Sequence, residues 1–143
     1  SIWRDNKQIE LQIDTQKLSD TDTLEAITWA GALIQKPHRA LATQHNIESS
    51  SGVYISRYWF GSPAQRHGLI ARHRIVELEG EEVTDLHQFI ALTQKFKDKR
   101  YIRARLVDLI GREKIVTLKQ DLHYWPTLRI FQEDGHWKNQ IIE

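Results

Sequence analysis

The spacing of apolar positions changes several times along this chain, and each change marks an element. In IWRDNKQIELQI (residues 2–13) two short alternating arms flank Asp5-Asn6-Lys7, a turn-prone triplet, which predicts a hairpin. Residues 15–26 are polar and read as loop, with Leu18 and Leu24 as candidate anchors. ITWAGALIQ (27–35) is strand-like and ends just before Pro37, which limits the conformations open to the chain there. HRALATQHN (38–46) fits a short helix that buries Leu41, and residues 47–52 read as loop. GVYISRYW (52–59) alternates as a strand, with Val53 and Ile55 on one face and Tyr54 on the other. In GSPAQRHGL (61–69) Ser62 suits a helix cap, Pro63 the first helical position and Gly68 the stop. RIVELEGEEV (74–83) reads as a strand, a turn at Gly80 and a short extended piece. TDLHQFIALTQKF (84–96) is helical: Thr84 or Asp85 caps it, and Leu86, Phe89, Ile90, Thr93 and Phe96 recur near helical spacing. YIRARLVD and EKIVTLK are strands around a turn at Gly111. The tail (123–142) suggests a second hairpin about Asp134-Gly135, with Trp125 and Trp137 as the rings that dock it. Taken in order, these elements predict an α+β domain, a small mixed sheet capped by two helices.

Composition narrows the function classes. The 143 residues suit one domain or one domain with extensions. Net charge is +1, which predicts no phosphate-tracking stripe and disfavours nucleic acid as a partner. Apolar runs last only a few residues, so no membrane insertion is expected. No secretion signal stands at the N-terminus, but Ser1 reads as a fragment boundary, so that carries no weight. Cysteine is absent, which excludes disulfides and thiolate chemistry and fits an oxidising compartment without requiring one. The seven histidines (38, 45, 67, 73, 87, 123 and 136) form no HExxH motif and no i, i+4 pair with a nearby carboxylate. They read as surface or capping groups, so no metal and no cofactor are expected. Ser62 is explained as a cap and there is no GxSxG, so no catalytic residues are assigned. Arg100, Arg103 and Arg105 read as the solvated face of a strand, a contact for an acidic partner being the lesser alternative. In Tyr58-Trp59-Phe60, one ring is expected to be buried and another to cover an edge.

The run SGVYISRYWFGSPAQRHGLIARHRIVELEGEEVTDLHQFIALTQ resembles a PDZ domain of the HtrA/Deg serine protease type. A strand leads to a Ser-Pro-Ala helix, a Gly-Leu stop, an Ile-rich strand, a glycine turn and the groove helix. Upstream, TWAGALIQ falls where that family places its carboxylate-binding loop and first groove strand. WAGALIQKPH and HYWPT resemble the HtrA-like protease of fungal nuclei and its plant and bacterial relatives. The sequence departs from the family pattern at Arg72-His73, where Gly-Asp is usual, and at Glu79, where Asn is usual. The resemblance implies a PDZ-like, partly open β-barrel or sandwich over residues 24–120, capped by two helices. Residues 1–13 form an extra hairpin, read either as the end of a preceding PDZ domain or as added strands of this one. Residues 121–143 form a C-terminal extension, a docked hairpin tail.

The resemblance implies strand addition, in which a peptide C-terminus lies beside an exposed strand and its carboxylate sits in a nest of backbone N–H groups. Here Trp29, Ala30, Gly31 and Ala32 would form the carboxylate loop. Leu33, Ile34 and Gln35 would form the groove strand, and Leu86, Ile90 and Thr93 the facing side of the helix, while Phe89, Leu92 and Phe96 turn to the core. The two alanines would leave a roomy pocket for a large apolar C-terminal residue, and Leu86 would favour an apolar residue two positions upstream. The chain is accordingly expected to be a non-catalytic peptide-binding module of a serine protease. It would capture apolar C-termini or extended segments of unfolded protein for substrate delivery or protease regulation. The other reading is a structural or oligomerisation module, its groove occluded by its own tail or a neighbouring domain. Expected partners are such peptides, together with the protease domain and neighbouring PDZ domain of the same polypeptide, and homo-oligomers of the full-length protein are open to this architecture. The resemblance places it in the periplasm or cell envelope if bacterial and the nucleus if fungal.

Overall fold

A computed structural model describes residues 1–15, 23–45 and 52–142. The larger sheet is laid down by β3 (Glu25–Trp29), β4 (Ala32–Gln35), β5 (Val53–Tyr58), β6 (His73–Leu78), β7 (Glu81–Glu82), β8 (Tyr101–Asp108), β9 (Glu113–Lys119), β10 (Leu128–Glu133) and β11 (His136–Ile141). Its order is β11-β10-β3-β4-β5-β6-β8-β9, with β7 paired to β6. Every pairing is antiparallel, and among the described residues the sheet does not close into a barrel. The α+β architecture is as expected, but the sheet is antiparallel where a mixed one was read, and larger, because the tail joins it. Among the described residues three helices accompany the sheet: α1 (Arg39–His45), α2 (Pro63–His67) and α3 (Leu86–Thr93). A hairpin of β1 (Ile2–Arg4) and β2 (Lys7–Ile9) forms a separate sheet, with Asp5 and Asn6 both at positive φ in its turn. It adds no strand to the larger sheet.

Local chemistry explains most boundaries. Ser62 caps α2 by accepting from the Gln65 amide at 3.2 Å, and its hydroxyl donates to the Trp59 carbonyl at 2.6 Å. Gly68 ends that helix at φ 79°. Asp85 caps α3 by accepting from the Gln88 amide at 2.9 Å, and the Gln88 side chain accepts from the Thr84 amide at 2.8 Å. The Gln88 amide holds the Asp85 carboxyl below its usual range. The helix stops at Thr93, short of the expected Phe96, because Lys95 and Phe96 donate to carbonyls three residues back rather than four. Leu41 is buried in α1 as expected, and His38 Nδ1 accepts from its amide at 3.1 Å.

The two departures from the family pattern are accommodated locally. Arg72 takes the left-handed conformation (φ 69°) and donates its amide to the Ile55 carbonyl at 3.1 Å. Glu79 and Gly80, both at positive φ, make the β6–β7 turn. The Glu79 carboxylate accepts from the Arg103 amide and pairs with Arg100, which uses the longer acid where Asn is usual. Arg105 pairs with Glu77 and Glu113, so much of the arginine face is neutralised within the sheet.

The core lies beneath β3–β6, β8 and β9 and includes Ile27, Trp29, Ile34, Ile55, Leu69, Ile75, Phe89, Ile102 and Leu118, all fully buried. The expected buried ring is not found: Tyr58 and Trp59 are half-buried, Tyr58 packing at the core margin, and Phe60 stands 84% exposed. The tail docks differently from expectation. Trp137 is 56% exposed, and the attachment comes from β10 pairing with β3, from Ile142 in the core and from Trp125 against Gly31.

Candidate peptide-binding groove

The run ITWAGALIQ is two strands rather than one. Ala30 (φ 52°) and Gly31 (φ 77°) both sit at positive φ, which makes a two-residue turn of the kind that closes β-hairpins. The turn folds β3 back along β4, pairing Trp29 with Ala32, Thr28 with Leu33, Ile27 with Ile34 and Ala26 with Gln35. On its other side β4 pairs with β5, with a bulge between Leu33 and Ile34. The edge of residues 32–35 that was expected to stand open is therefore taken by the chain's own residues 25–29. Alternation alone could not reveal the fold-back, because alanine at positive φ is uncommon and the Ala-Gly pair interrupts no apolar period.

The loop expected to hold a carboxylate is this turn. Its carbonyls are engaged: Ala30 O accepts from the Ala64 amide at 2.9 Å and Gly31 O from the Trp59 amide at 2.9 Å. Ala30, Gly31 and Ala32 are all buried. The room left by the alanines is occupied from across the strand pair. Trp29 faces Ala32, is fully buried, and meets Phe89 of α3 edge-to-face with ring centroids 5.4 Å apart at 87°. Such a pair contributes about 0.5–1.5 kcal/mol beyond its burial. The indole N–H donates to Gln120 Oε1 at 2.9 Å, and Gln120 Nε2 donates to the Phe96 carbonyl at 3.4 Å. Gln120 was not picked out in the sequence; a buried Trp needs an acceptor, but nothing local to Trp29 identifies one 91 residues away.

On the helix side of the trough Leu86 and Thr93 are buried, and Thr93 Oγ1 donates to the Ile90 carbonyl at 2.8 Å. Ile90 is partly buried against the core, and Phe89 meets Trp29 of the strand that lies in the trough. Leu33 and Gln35 are half-buried on the other face of β4, where Ser56 Oγ donates to the Leu33 carbonyl at 3.1 Å. At the far end of β3, Glu25 lies 3.6 Å from His87 of α3 and bonds Arg129 of β10, so one carboxylate ties strand, helix and tail. Outside the turn a cavity of about 230 Å³ remains, lined by Thr28, Gly31, Trp59, Tyr124, Trp125, Pro126 and Leu128. Among the described residues no group of three or more His, Asp or Glu is placed to hold a metal ion.

A strand and a helix face one another across a trough, with a Ser-Pro-Ala helix closing the turn at one end, and this arrangement is the PDZ fold. It resembles solved structures at low identity: the HtrA-type protease AlgW with decapeptide (TM-score 0.57, 17% identity, 67% of this chain and 29% of that one). The HtrA3 PDZ domain bound to a phage-derived ligand, FGRWV, is similar at TM-score 0.53 and 15% identity, over 68% of this chain and 89% of that one. In sequence the whole chain is 38% identical over 146 residues to Protease Do-like 7 of Arabidopsis thaliana, covering 13% of it. It is 32% identical over 136 residues to the pro-apoptotic serine protease NMA111 of Yarrowia lipolytica, matching 95% of this chain and 14% of that protein. No family model matches the chain. Its homologues are thus HtrA-like serine proteases, of which it spans a small part, and its fold is that of their PDZ domains.

Proposed function

We propose that this chain is a non-catalytic PDZ module of an HtrA/Deg-like serine protease in which the groove is served in cis. β3 lies antiparallel to β4 with Trp29 at the turn end, the orientation strand addition gives a bound peptide C-terminus. In that frame Trp29 takes the place of a ligand's terminal side chain, Ile27 that of the residue two positions upstream, and the turn that of the carboxylate. The supporting observation is the pairing of residues 26–29 with 32–35 beneath α3. The module's work would then be structural: it contacts the protease domain or a neighbouring PDZ domain of the same polypeptide. Carboxylate-dependent capture of apolar C-termini is the second reading, favoured by the peptides bound in the similar HtrA structures. It requires β3 to leave the trough.

Titration with apolar-ended peptides, as free acid and as amide, separates the two while amide resonances of residues 32–35 are followed. The cis reading expects no saturable shift in those amides with either peptide. Saturable shifts with the free acid that vanish on amidation would establish peptide capture and overturn it.

A further inference from the structure

The space that the trough gives to a terminal side chain is not purely apolar. Trp29 lies opposite Ala32, both fully buried, and Phe89 of α3 meets the indole edge-to-face. Beside the indole stands a buried amide. Gln120, one residue past β9 and 1% exposed, accepts the indole N–H on Oε1 at 2.9 Å. The orientation of that amide is set from its other side. Gln120 Nε2 donates to the Phe96 carbonyl at 3.4 Å, and the Gln120 backbone amide donates to the Arg100 carbonyl at 2.9 Å. Turning the side chain over would set Oε1 against the Phe96 carbonyl, acceptor on acceptor. The oxygen is therefore presented to whatever side chain fills the slot.

We propose, resting on the reading of β3 as a ligand held in cis, that Gln120 sets the specificity of this slot. The trough then takes an extended segment bearing tryptophan in preference to one that ends in Leu, Val or Phe. A side chain without an N–H leaves Gln120 Oε1 buried and unpaired. A site built to hydrogen-bond a donor rejects the analogue that lacks it more strongly than it rejects a missing methylene. Shape acts in the same direction. Ala32 opposite leaves room for a two-ring side chain, and Phe89 gives it an aromatic partner. Two residues before Trp29, Ile27 is fully buried with Ile34 as its cross-strand pair. The favoured pattern is therefore Ile-x-Trp, carried here by Ile27-Thr28-Trp29. A partner strand that displaces β3 must bring the same pattern, and an apolar C-terminus alone does not suffice.

The test empties the slot in the 143-residue chain with Trp29→Ala and refills it with small probes. Indole and indene share a shape and differ in the N–H. Read from the shift of the urea midpoint, indole should bind Trp29→Ala about tenfold more tightly than indene, the effect of one buried hydrogen bond. Adding Gln120→Leu should abolish that preference. If Trp29→Ala does not fold alone, refolding driven by indole and not by indene reads the same preference. In the milder Trp29→Leu, the peptide Glu-Ala-Ile-Thr-Trp should bind and its Phe-ended and Leu-ended twins should not. Equal binding of indole and indene, a preference that survives Gln120→Leu, or no binding by any probe in either variant would overturn the role of Gln120. Exchange of the Trp29 indole N–H in the unsubstituted chain tests the underlying reading separately. Fast exchange would show that β3 does not fill the trough, whereas slow exchange beside equal binding of the two probes would overturn the specificity alone.

Discussion

A Cβ built on Gly31 would lie 2.2 Å from Ser62 Cβ and 2.9 Å from Trp125 Cε3, on a backbone with φ 77°. Gly31→Ala therefore combines left-handed strain with overpacking against an element that cannot move freely, and should destabilise the domain by about 3 kcal/mol in urea unfolding. Gly135→Ala is its control, with the same φ and nothing within 4 Å, and should cost only about 1 kcal/mol. Gln120→Leu strands the Trp29 indole N–H in the core, a loss of about 1–3 kcal/mol. In Trp29→Phe the same substitution should cost less, because no donor remains to be stranded; equal costs in a double-mutant cycle would show the bond to be incidental. Asp108 gives a pH signature. The Arg112 guanidinium and the amides of Arg112 and Ile110 hold its carboxyl at about 2. The unfolded value is about 3.9, so its stabilisation is complete above that pH and disappears as pH falls through 2. Asp108→Asn should flatten the acid limb of stability between about pH 4 and 2 without altering its neutral-pH slope.

At the scale of elements, the legible features were those with a residue-level cause. Ser62, Pro63 and Gly68 bound α2, and Asp85 with Gln88 starts α3, as capping chemistry requires. Asp85→Ala should accordingly cost about 1 kcal/mol, measured as a shift in the urea midpoint. Both late hairpins turn where Gly111 and Asp134-Gly135 predicted. ITWAGALIQ was not legible as a hairpin, since its turn rests on an alanine at positive φ that only packing against Ser62, Ala64 and Trp59 stabilises. The partner of Trp29 on α3 was not legible for a related reason. Helical spacing allows Phe89 or Ile90 to face the trough, and the choice is made by Trp29, whose location depends on that turn. Hydrogen exchange tests this account at its own scale. Amides bonded between β3 and β4 should exchange only with global unfolding; fast exchange there would mean that β3 leaves the trough in the native state.

At the scale of the molecule, the two hairpins outside residues 24–120 make opposite predictions. β1–β2 forms its own sheet and leaves Trp3 74% exposed, with Ile2, Leu11 and Ile13 also exposed. An isolated two-stranded hairpin is marginal in water, so it contributes little to the domain and is suited to completing another unit. Deleting residues 1–13 should leave the unfolding midpoint nearly unchanged. β10–β11 is integral. β10 covers the free edge of β3, Ile142 is buried in the core, and its amide donates to the Thr127 carbonyl at 3.0 Å. Ending the chain at residue 126 removes at least the burial of Ile142, about 2 kcal/mol, and bares an edge whose Ile27 and Trp29 belong to the core. The truncated chain should unfold at markedly lower urea and associate through that edge, seen as concentration-dependent sedimentation. Equal stability of this truncation and the full chain would mean that β3 is held by β4 and α3 alone. In that case the tail would be free to exchange with strands from a neighbouring domain.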